Sequence, residues 1–122
     1  MDNRETIEYV ISLCYNKTLN SNEILNVKHF FSDSVIDPNY NNGQLLTISA
    51  LNGNCDMIKV LKEHNCNIHI NENEPLRICA QNNYLDCALV LFDETVNVEE
   101  YDYSASYNNL RKIKENIYFQ TH

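Results

Sequence analysis

The sequence has little glycine and little positive charge. Two glycines in 122 residues cannot build the glycine-rich loop that cradles a phosphate group, so that class of nucleotide site is excluded. Only 9 Lys and Arg stand against 17 Asp and Glu, for a net charge of -8. This charge repels phosphate backbones and anionic lipid surfaces. We therefore expect neither nucleic acid nor a membrane as a partner.

Long apolar runs and regular cysteine spacings are also missing. No segment approaches the roughly 20 apolar residues that span a bilayer, and the opening MDNRETIEY is too polar for a secretory signal. The five cysteines are odd in number and lie mostly on apolar stripes, which is typical of reduced thiols that serve as small core residues. These features predict an intracellular protein, cytoplasmic or nuclear.

What the sequence has in abundance is asparagine, 20 of 122 residues, together with an internal repeat. The segment 52–69, NGNCDMIKVLKEHNCNIH, is echoed by 82–99, NNYLDCALVLFDETVNVE. At a spacing of 30 residues the leading apolar column contains Leu25, Cys55 and Leu85. Apolar residues then recur at helical spacing within each copy, which predicts an amphipathic helix.

A shorter apolar segment precedes each of these helices, at 44–51, 74–81 and 100–107. Asn52-Gly53 and Asn82-Asn83 separate the short helix from the long one, where a left-handed residue is needed to reverse the chain and Asn is the best substitute for Gly. The repeating unit is therefore a short helix, a tight turn and a longer helix.

The end of the longer helix calls for a second left-handed residue, usually Gly. Asn65 and Thr95 occupy this position in the two copies. Asn65 suits it, whereas Thr95 fits poorly because β-branched residues disfavour positive φ.

These motifs resemble the ankyrin repeat. NGNCDMIKVLKEHNCNIH is similar to the family pattern NGHLEVVKLLLEHGADVN, and EPLRICAQNN to the segment TPLHIAAxNG that precedes it. The resemblance implies an all-α solenoid of about four stacked helix-turn-helix units with short fingers, in repeats of approximately 3–39, 40–69, 70–99 and 100–118. The abundance of asparagine in these repeats is similar to that of ankyrin proteins of giant DNA viruses of amoebae. A viral source would place the protein inside a host cell.

Two departures from the family pattern affect these expectations. Thr47 and Arg77 stand where the family has His, so the usual hydrogen-bond link between neighbouring repeats is in doubt. The final ENIYFQ of 115–120 resembles a protease recognition sequence used to remove tags. We therefore treat 1–118 as one ankyrin-repeat domain and leave the tail 119–122 out of functional reasoning.

By the same resemblance, the protein is a protein-protein interaction module that binds an unidentified protein on its concave face. The binding residues would be those of the fingers and the exposed ends of the short helices: Asn42, Gly43, Leu51, Asn52, Asn71, Glu72, Asn73, Gln81, Asn82, Ser106 and Tyr107. The acidic residues Glu94, Glu99, Glu100 and Asp102 form either a solvated surface, as charges on exposed loops usually do, or a patch that steers a basic partner. A structural subunit that pairs through its terminal repeats is an alternative, although we expect a monomer.

An enzyme is the other alternative, and two sets of residues bear on it. His64, Cys66 and His69 offer three potential ligand side chains within six residues, but no second ligand pair lies nearby, so we expect no metal and no cofactor. Cys55, Cys79 and Cys87 lie on helix faces predicted to be buried, where a thiol is inert. The sequence therefore predicts a protein without catalytic activity.

Overall fold

The chain folds into antiparallel helix pairs. A computed structural model describes residues 2–97 and 108–115, and within them it contains helices and no strand. In chain order the helices are α1 (Asn3–Cys14), α2 (Ser21–Ser32), α3 (Tyr40–Leu51), α4 (Cys55–Glu63), α5 (Ile70–Gln81), α6 (Leu85–Leu91) and α7 (108–115). The expected all-α fold is confirmed over these ranges.

The helices stack in two rows, as in a solenoid. The inner row consists of α1, α3 and α5, with α3 packed against both neighbours, and the outer row of α2, α4 and α6, with α4 in the middle. Equivalent leucines fill the space between the rows and are essentially inaccessible to solvent: Leu46, Leu61, Leu76 and Leu91. Removing such side chains from water is the main stabilising contribution, and each pair supplies it to the next.

The tight turns between inner and outer helices form as expected. Gly53 has φ 66° and Asn83 has φ 59°, both in the left-handed region. Tyr84 packs over the first of these turns, since a Cβ added at Gly53 would lie 3.1 Å from its ring. Glycine therefore suits this turn both for its left-handed backbone and for the limited space beneath the ring of Tyr84.

A buried asparagine joins the first pair to the second. Asn54 has no solvent exposure. Its Oδ1 accepts a hydrogen bond from the N–H of Met57 at 3.0 Å, which caps α4, and its Nδ2 donates to the carbonyl of Leu13 at 2.9 Å. One side chain thus caps the outer helix α4 and donates to a carbonyl near the end of α1, the inner helix of the preceding pair.

The apolar character of the leading column of the repeat predicted that this column would lie in the core. The structure contradicts that prediction. Leu25 and Leu85 are 55% and 44% exposed, and Cys55 is only partly buried. The reason is helical geometry: the buried face of α4 starts at Met57 and Ile58, and a residue two positions earlier points away from it.

The expected helix end at Thr95 is wrong. Helix α6 stops at Leu91, and Phe92 is already extended, with φ -82° and ψ 132°. The carboxylate of Asp93 then accepts a hydrogen bond from the N–H of Thr95 at 2.9 Å, which forms a local turn. Asn65 closes α4 with φ 65° as expected. The helix expected over 100–107 lies outside the described residues.

Candidate protein-interaction surface

The inner helices end in a row of exposed side chains. Each end follows a buried small residue, Cys14, Ala50 or Ala80, and the next residue is Tyr15, Leu51 or Gln81. Tyr15 is 61% exposed, Leu51 is 53% exposed, and Gln81 is exposed as well. We call Tyr15, Leu51 and Gln81 the ledge. It places two large apolar side chains in water at equivalent positions of neighbouring helices.

Sequence reasoning found two members of the ledge and missed Tyr15. The first inner helix precedes the second by 36 residues, not 30, because the loop between α1 and α2 is longer than the later turns. A search at the 30-residue spacing therefore cannot reach it. The signal was present nonetheless, because Cys14 occupies the same small-residue position as Ala50.

Asn52 and Asn82 act chiefly as helix caps. The Nδ2 of each donates to the carbonyl four residues earlier, that of Ile48 or Ile78, at 2.8 Å. These carbonyls lie in the last turn of α3 and α5, and each also accepts the backbone N–H of the same asparagine at 3.1 Å. The two asparagines were expected to bind a partner, but their amide donors already have a structural role. Asn82 is exposed and Asn52 is partly buried.

The fingers contain three consecutive left-handed residues. In residues 41–43 φ is 50°, 57° and 80°, and in residues 71–73 it is 51°, 57° and 61°. We call these segments the finger turns. Asparagine and glycine tolerate this conformation, which explains five of the six residues, whereas Glu72 adopts it at a cost. The exposed members are Asn41, Asn42, Asn71 and Glu72.

Gly43, which was expected to contact a partner, offers little surface for one. It is buried against the next repeat, and a Cβ built on it would lie 2.8 Å from Cδ1 of Ile70. Asn73 is partly buried, and its Oδ1 faces Nδ1 of His69. Both positions therefore fix the finger turns and offer little surface. Ser106 and Tyr107 lie outside the described residues.

Arg77 replaces the family histidine and stabilises a finger turn. Its Nε donates to the carbonyl of Glu72 at 3.1 Å and its Nη2 to the carbonyl of Asn71 at 3.0 Å. A guanidinium carries several donors in a rigid fork, so one side chain can satisfy two carbonyls of the left-handed turn. This contact lies within one repeat.

Neighbouring repeats are linked at the bases of the fingers. The N–H of Asn67 donates to Oδ1 of Asn39 at 2.7 Å, and Nε2 of His69 lies 2.8 Å from Oδ2 of Asp93. Each link joins a finger to the equivalent region of the adjacent repeat. The hydrogen-bond link between neighbouring repeats, which the family histidines would usually make, is therefore made here by other residues.

The comparison with known families agrees with this architecture. A family model described as ankyrin repeats, in three copies, matches residues 13–102. The match covers more than half of the chain.

The chain belongs to the ankyrin-repeat family.

Ankyrin repeats are generally protein-protein interaction modules, and the family is typically not enzymatic. No curated protein and no solved structure matches the chain significantly. In this ankyrin protein the finger turns lie near the start of the inner helices α3 and α5, and the ledge lies at the ends of α1, α3 and α5.

The candidate metal residues of this ankyrin protein are engaged separately. Nδ1 of His64 lies 2.9 Å from the carbonyl of Val60, and its Nε2 lies 3.3 Å from Oγ of Ser32. Cys66 is buried, and His69 contacts Asp93. Among the described residues, no group of three or more His, Cys, Asp or Glu side chains is arranged to hold a metal ion.

The thiols lie inside the repeats, with one exception. Burial raises the pKa of Cys66 to about 11, and it raises that of Cys14 to about 11 against a hydrogen bond from Ser49. Cys79 and Cys87 are buried as expected, whereas Cys55 is partly exposed. A thiol with a raised pKa is a poor nucleophile at neutral pH.

Asp93 precedes the predicted acidic patch and has a lowered pKa. Partial burial raises its pKa, but hydrogen bonds from Thr95 and the nearby His69 outweigh this effect and leave the pKa below its usual value. The adjacent Glu94 is exposed, and the remaining acidic residues of the predicted patch, Glu99, Glu100 and Asp102, lie outside the described ranges. No described helix is long and apolar enough to cross a membrane.

Proposed function

We propose that this ankyrin protein is a non-catalytic interaction module that binds a protein partner on its inner side. The observation that carries the proposal is the exposure of Tyr15 and Leu51 at equivalent ends of α1 and α3. Aromatic side chains are enriched among the residues that dominate binding energy. An apolar contact at the ledge would thus provide the anchor for a partner.

The finger turns supply the polar part of the same surface. Asn42, Asn71 and Glu72 are exposed and lie in the left-handed turns near the start of α3 and α5. Their backbone is fixed, so little conformational freedom is lost on binding. Together with the ledge they fit an interface of roughly 1,200–2,000 Å² in total, the size of a specific complex.

The charge of the chain supports a basic partner. The net charge of -8 steers positively charged proteins to the surface and disfavours nucleic acid. We further propose that the protein is a monomer that acts inside a cell. The asparagine-rich repeats support a source similar to the giant DNA viruses of amoebae, in which case that cell would be the host.

The test compares two leucines of similar exposure on opposite rows. Leu51 on the ledge is 53% exposed and Leu25 on α2 is 55% exposed. Partners would be captured with the intact chain from an extract of the host cell. Calorimetry would then measure the affinity of the captured protein for the wild-type chain and for each variant. Leu51→Ala and Tyr15→Ala should each weaken binding at least tenfold, about 1.4 kcal/mol, whereas Leu25→Ala should not change it.

Two results would contradict the proposal. Equal affinity of the Leu51→Ala and Leu25→Ala variants would show that the ledge is not the binding surface. A dimer in light scattering of the purified chain, dissociated by changes at its terminal repeats, would favour the structural-subunit alternative.

A further inference from the structure

Three of the five cysteines meet where the second and third helix pairs pack. Cys55 begins α4, Cys79 lies near the end of α5, and Cys87 lies in the first turn of α6. The sulfur of Cys87 lies beside the thiols of Cys79 and Cys55, close enough for each of them to influence its pKa. We call these residues the thiol cluster. The other two cysteines, Cys14 and Cys66, lie outside it.

Two members of the thiol cluster line the same groove, and of these Cys55 is the more exposed. A groove of about 460 Å³ runs along the turns between inner and outer helices, and both Cys55 and Cys87 line it. Cys55 is partly exposed and Cys87 is 2% exposed. Cys79 has no exposure and lines a separate cavity of about 140 Å³. A small reagent in the groove would therefore meet Cys55 and Cys87 together.

We propose that Cys55 and Cys87 form a redox-active dithiol that a low-molecular-weight disulfide, such as oxidised glutathione, converts into an intramolecular disulfide bond. The bond would join α4 to α6, and hence the second repeat to the third. It would lie beside the turns between inner and outer helices, on the side of the repeats opposite the finger turns. This proposal does not depend on the partner-binding function.

The reaction balances as two successive thiol-disulfide exchanges. The Cys87 thiolate attacks one sulfur of the reagent, which breaks the reagent's S–S bond, forms a mixed disulfide and releases the first thiol. The Cys55 thiolate then attacks the Cys87 sulfur and releases the second. The reagent gains two electrons, the protein dithiol loses two, and the protons of Cys55 and Cys87 end on the released thiols.

The environment of each sulfur assigns these roles. Hydrogen bonds from Cys79 and Cys55 outweigh burial and lower the pKa of Cys87 to about 7. Burial and the neighbouring Cys87 raise the pKa of Cys55 to about 11. The hydrogen bond that Cys79 donates to Cys87, together with burial, raises the pKa of Cys79 above its usual value. Cys87 is thus the thiol most often ionised at neutral pH and attacks first, while Cys79 remains a proton donor.

The test is to incubate the full chain with mixtures of reduced and oxidised glutathione, block the remaining thiols by alkylation, and map the peptides without reduction. We expect a single intramolecular disulfide that joins the peptides of Cys55 and Cys87. Cys55→Ser should instead accumulate a glutathione adduct on Cys87, because the second exchange is lost. Cys66→Ser is the matched control and should leave the Cys55–Cys87 bond unchanged.

The wild-type map alone can overturn the proposal, so it does not depend on a variant that folds. A chain with five unmodified thiols at the most oxidising mixture would contradict it. A bond between Cys79 and Cys87 would contradict the assignment of Cys55 as the second thiol. Bonds to Cys14 or Cys66 would show oxidation of unfolded chain, which circular dichroism of the same samples would reveal.

Discussion

At the scale of single residues, asparagine carries much of the architecture. Asn54 caps an outer helix and bonds the preceding repeat, Asn52 caps an inner helix, and Asn83 reverses the chain with positive φ. Sequence reasoning could predict the turn role, because it follows from the tolerance of Asn for left-handed backbone. It could not predict the bond of Asn54 to Leu13, which depends on how two repeats dock.

The first prediction concerns Asn54. Asn54→Ala removes a helix cap and one of the two hydrogen bonds to the carbonyl of Leu13, which keeps the N–H of Asn16 as its other donor. The change should therefore lower the free energy of unfolding by about 1–3 kcal/mol. Asn54→Asp keeps an acceptor for the N–H of Met57 but places a buried carboxylate oxygen against the carbonyl of Leu13, so it should cost at least as much as Asn54→Ala. Urea denaturation measures both.

The control is Asn22→Ala, at an exposed site in the first turn of α2, which should change stability by less than about 0.5 kcal/mol. If Asn54→Ala and Asn22→Ala were equally mild, the link between the first two repeats would not contribute as described.

Glu72 provides a second prediction at this scale. It is held at φ 57°, where a residue with a Cβ loses about 1–2 kcal/mol. Glu72→Gly should therefore raise the free energy of unfolding, by about 0.5–1 kcal/mol after the greater entropy of unfolded glycine is counted. Lys59→Gly, in the right-handed helix α4, should instead lower it by about 1 kcal/mol. A loss of stability in both variants would contradict the left-handed finger turn.

At the scale of helices, the 30-residue period predicted which faces pack and where the turns fall. The helices α3 to α6 confirm it. The finger turns were not predicted, because three left-handed residues in a row depend on tertiary support from Arg77 and from the packing of Ile70 on Gly43. The exposure of Leu25 and Leu85 was also missed, since an apolar column at a helix start resembles a core column in sequence alone.

Packing between helices gives the third prediction. Leu61 and Leu91 are completely buried in α4 and α6, so Leu61→Ala and Leu91→Ala should each cost about 2–5 kcal/mol. Leu51→Ala at the ledge removes an exposed side chain and should cost less than about 0.5 kcal/mol. Thermal denaturation of the three variants tests this. Similar losses at Leu61 and Leu51 would contradict the division into a buried seam and an exposed ledge.

The contact between His69, at the end of the second repeat, and Asp93, in the third repeat, gives a prediction about pH. The folded-state pKa of Asp93 lies below its unfolded value, so its ionised form favours the folded state. This contribution is complete above the unfolded pKa, about 3.9, and is lost as pH falls through the lower folded pKa. Asp93→Asn should therefore be less stable than wild type near neutral pH, and the difference should shrink below about pH 4.

Denaturation curves at several pH values measure that difference, with Asp86→Asn, an exposed site in α6, as the control. A gap that widened on acidification would contradict the sign of the argument.

At the scale of the whole molecule, the family and the all-α class could be predicted from the repeat, and the match over residues 13–102 agrees. The binding surface was only partly predictable. Leu51, Gln81, Asn42, Asn71 and Glu72 are exposed, whereas Gly43 is buried and Tyr15 escaped the 30-residue search. Exposure is a property of the assembled stack, and a repeat pattern read along one chain does not specify it.

Hydrogen exchange of the complex with the captured partner tests the central claim most directly. We predict slower exchange at the ends of the inner helices and in the finger turns, within residues 10–17, 41–53 and 71–83, and unchanged exchange in α2 and α4. Protection confined to α2 and α4, or to α7 at the end of the stack, would contradict a binding surface on the inner side.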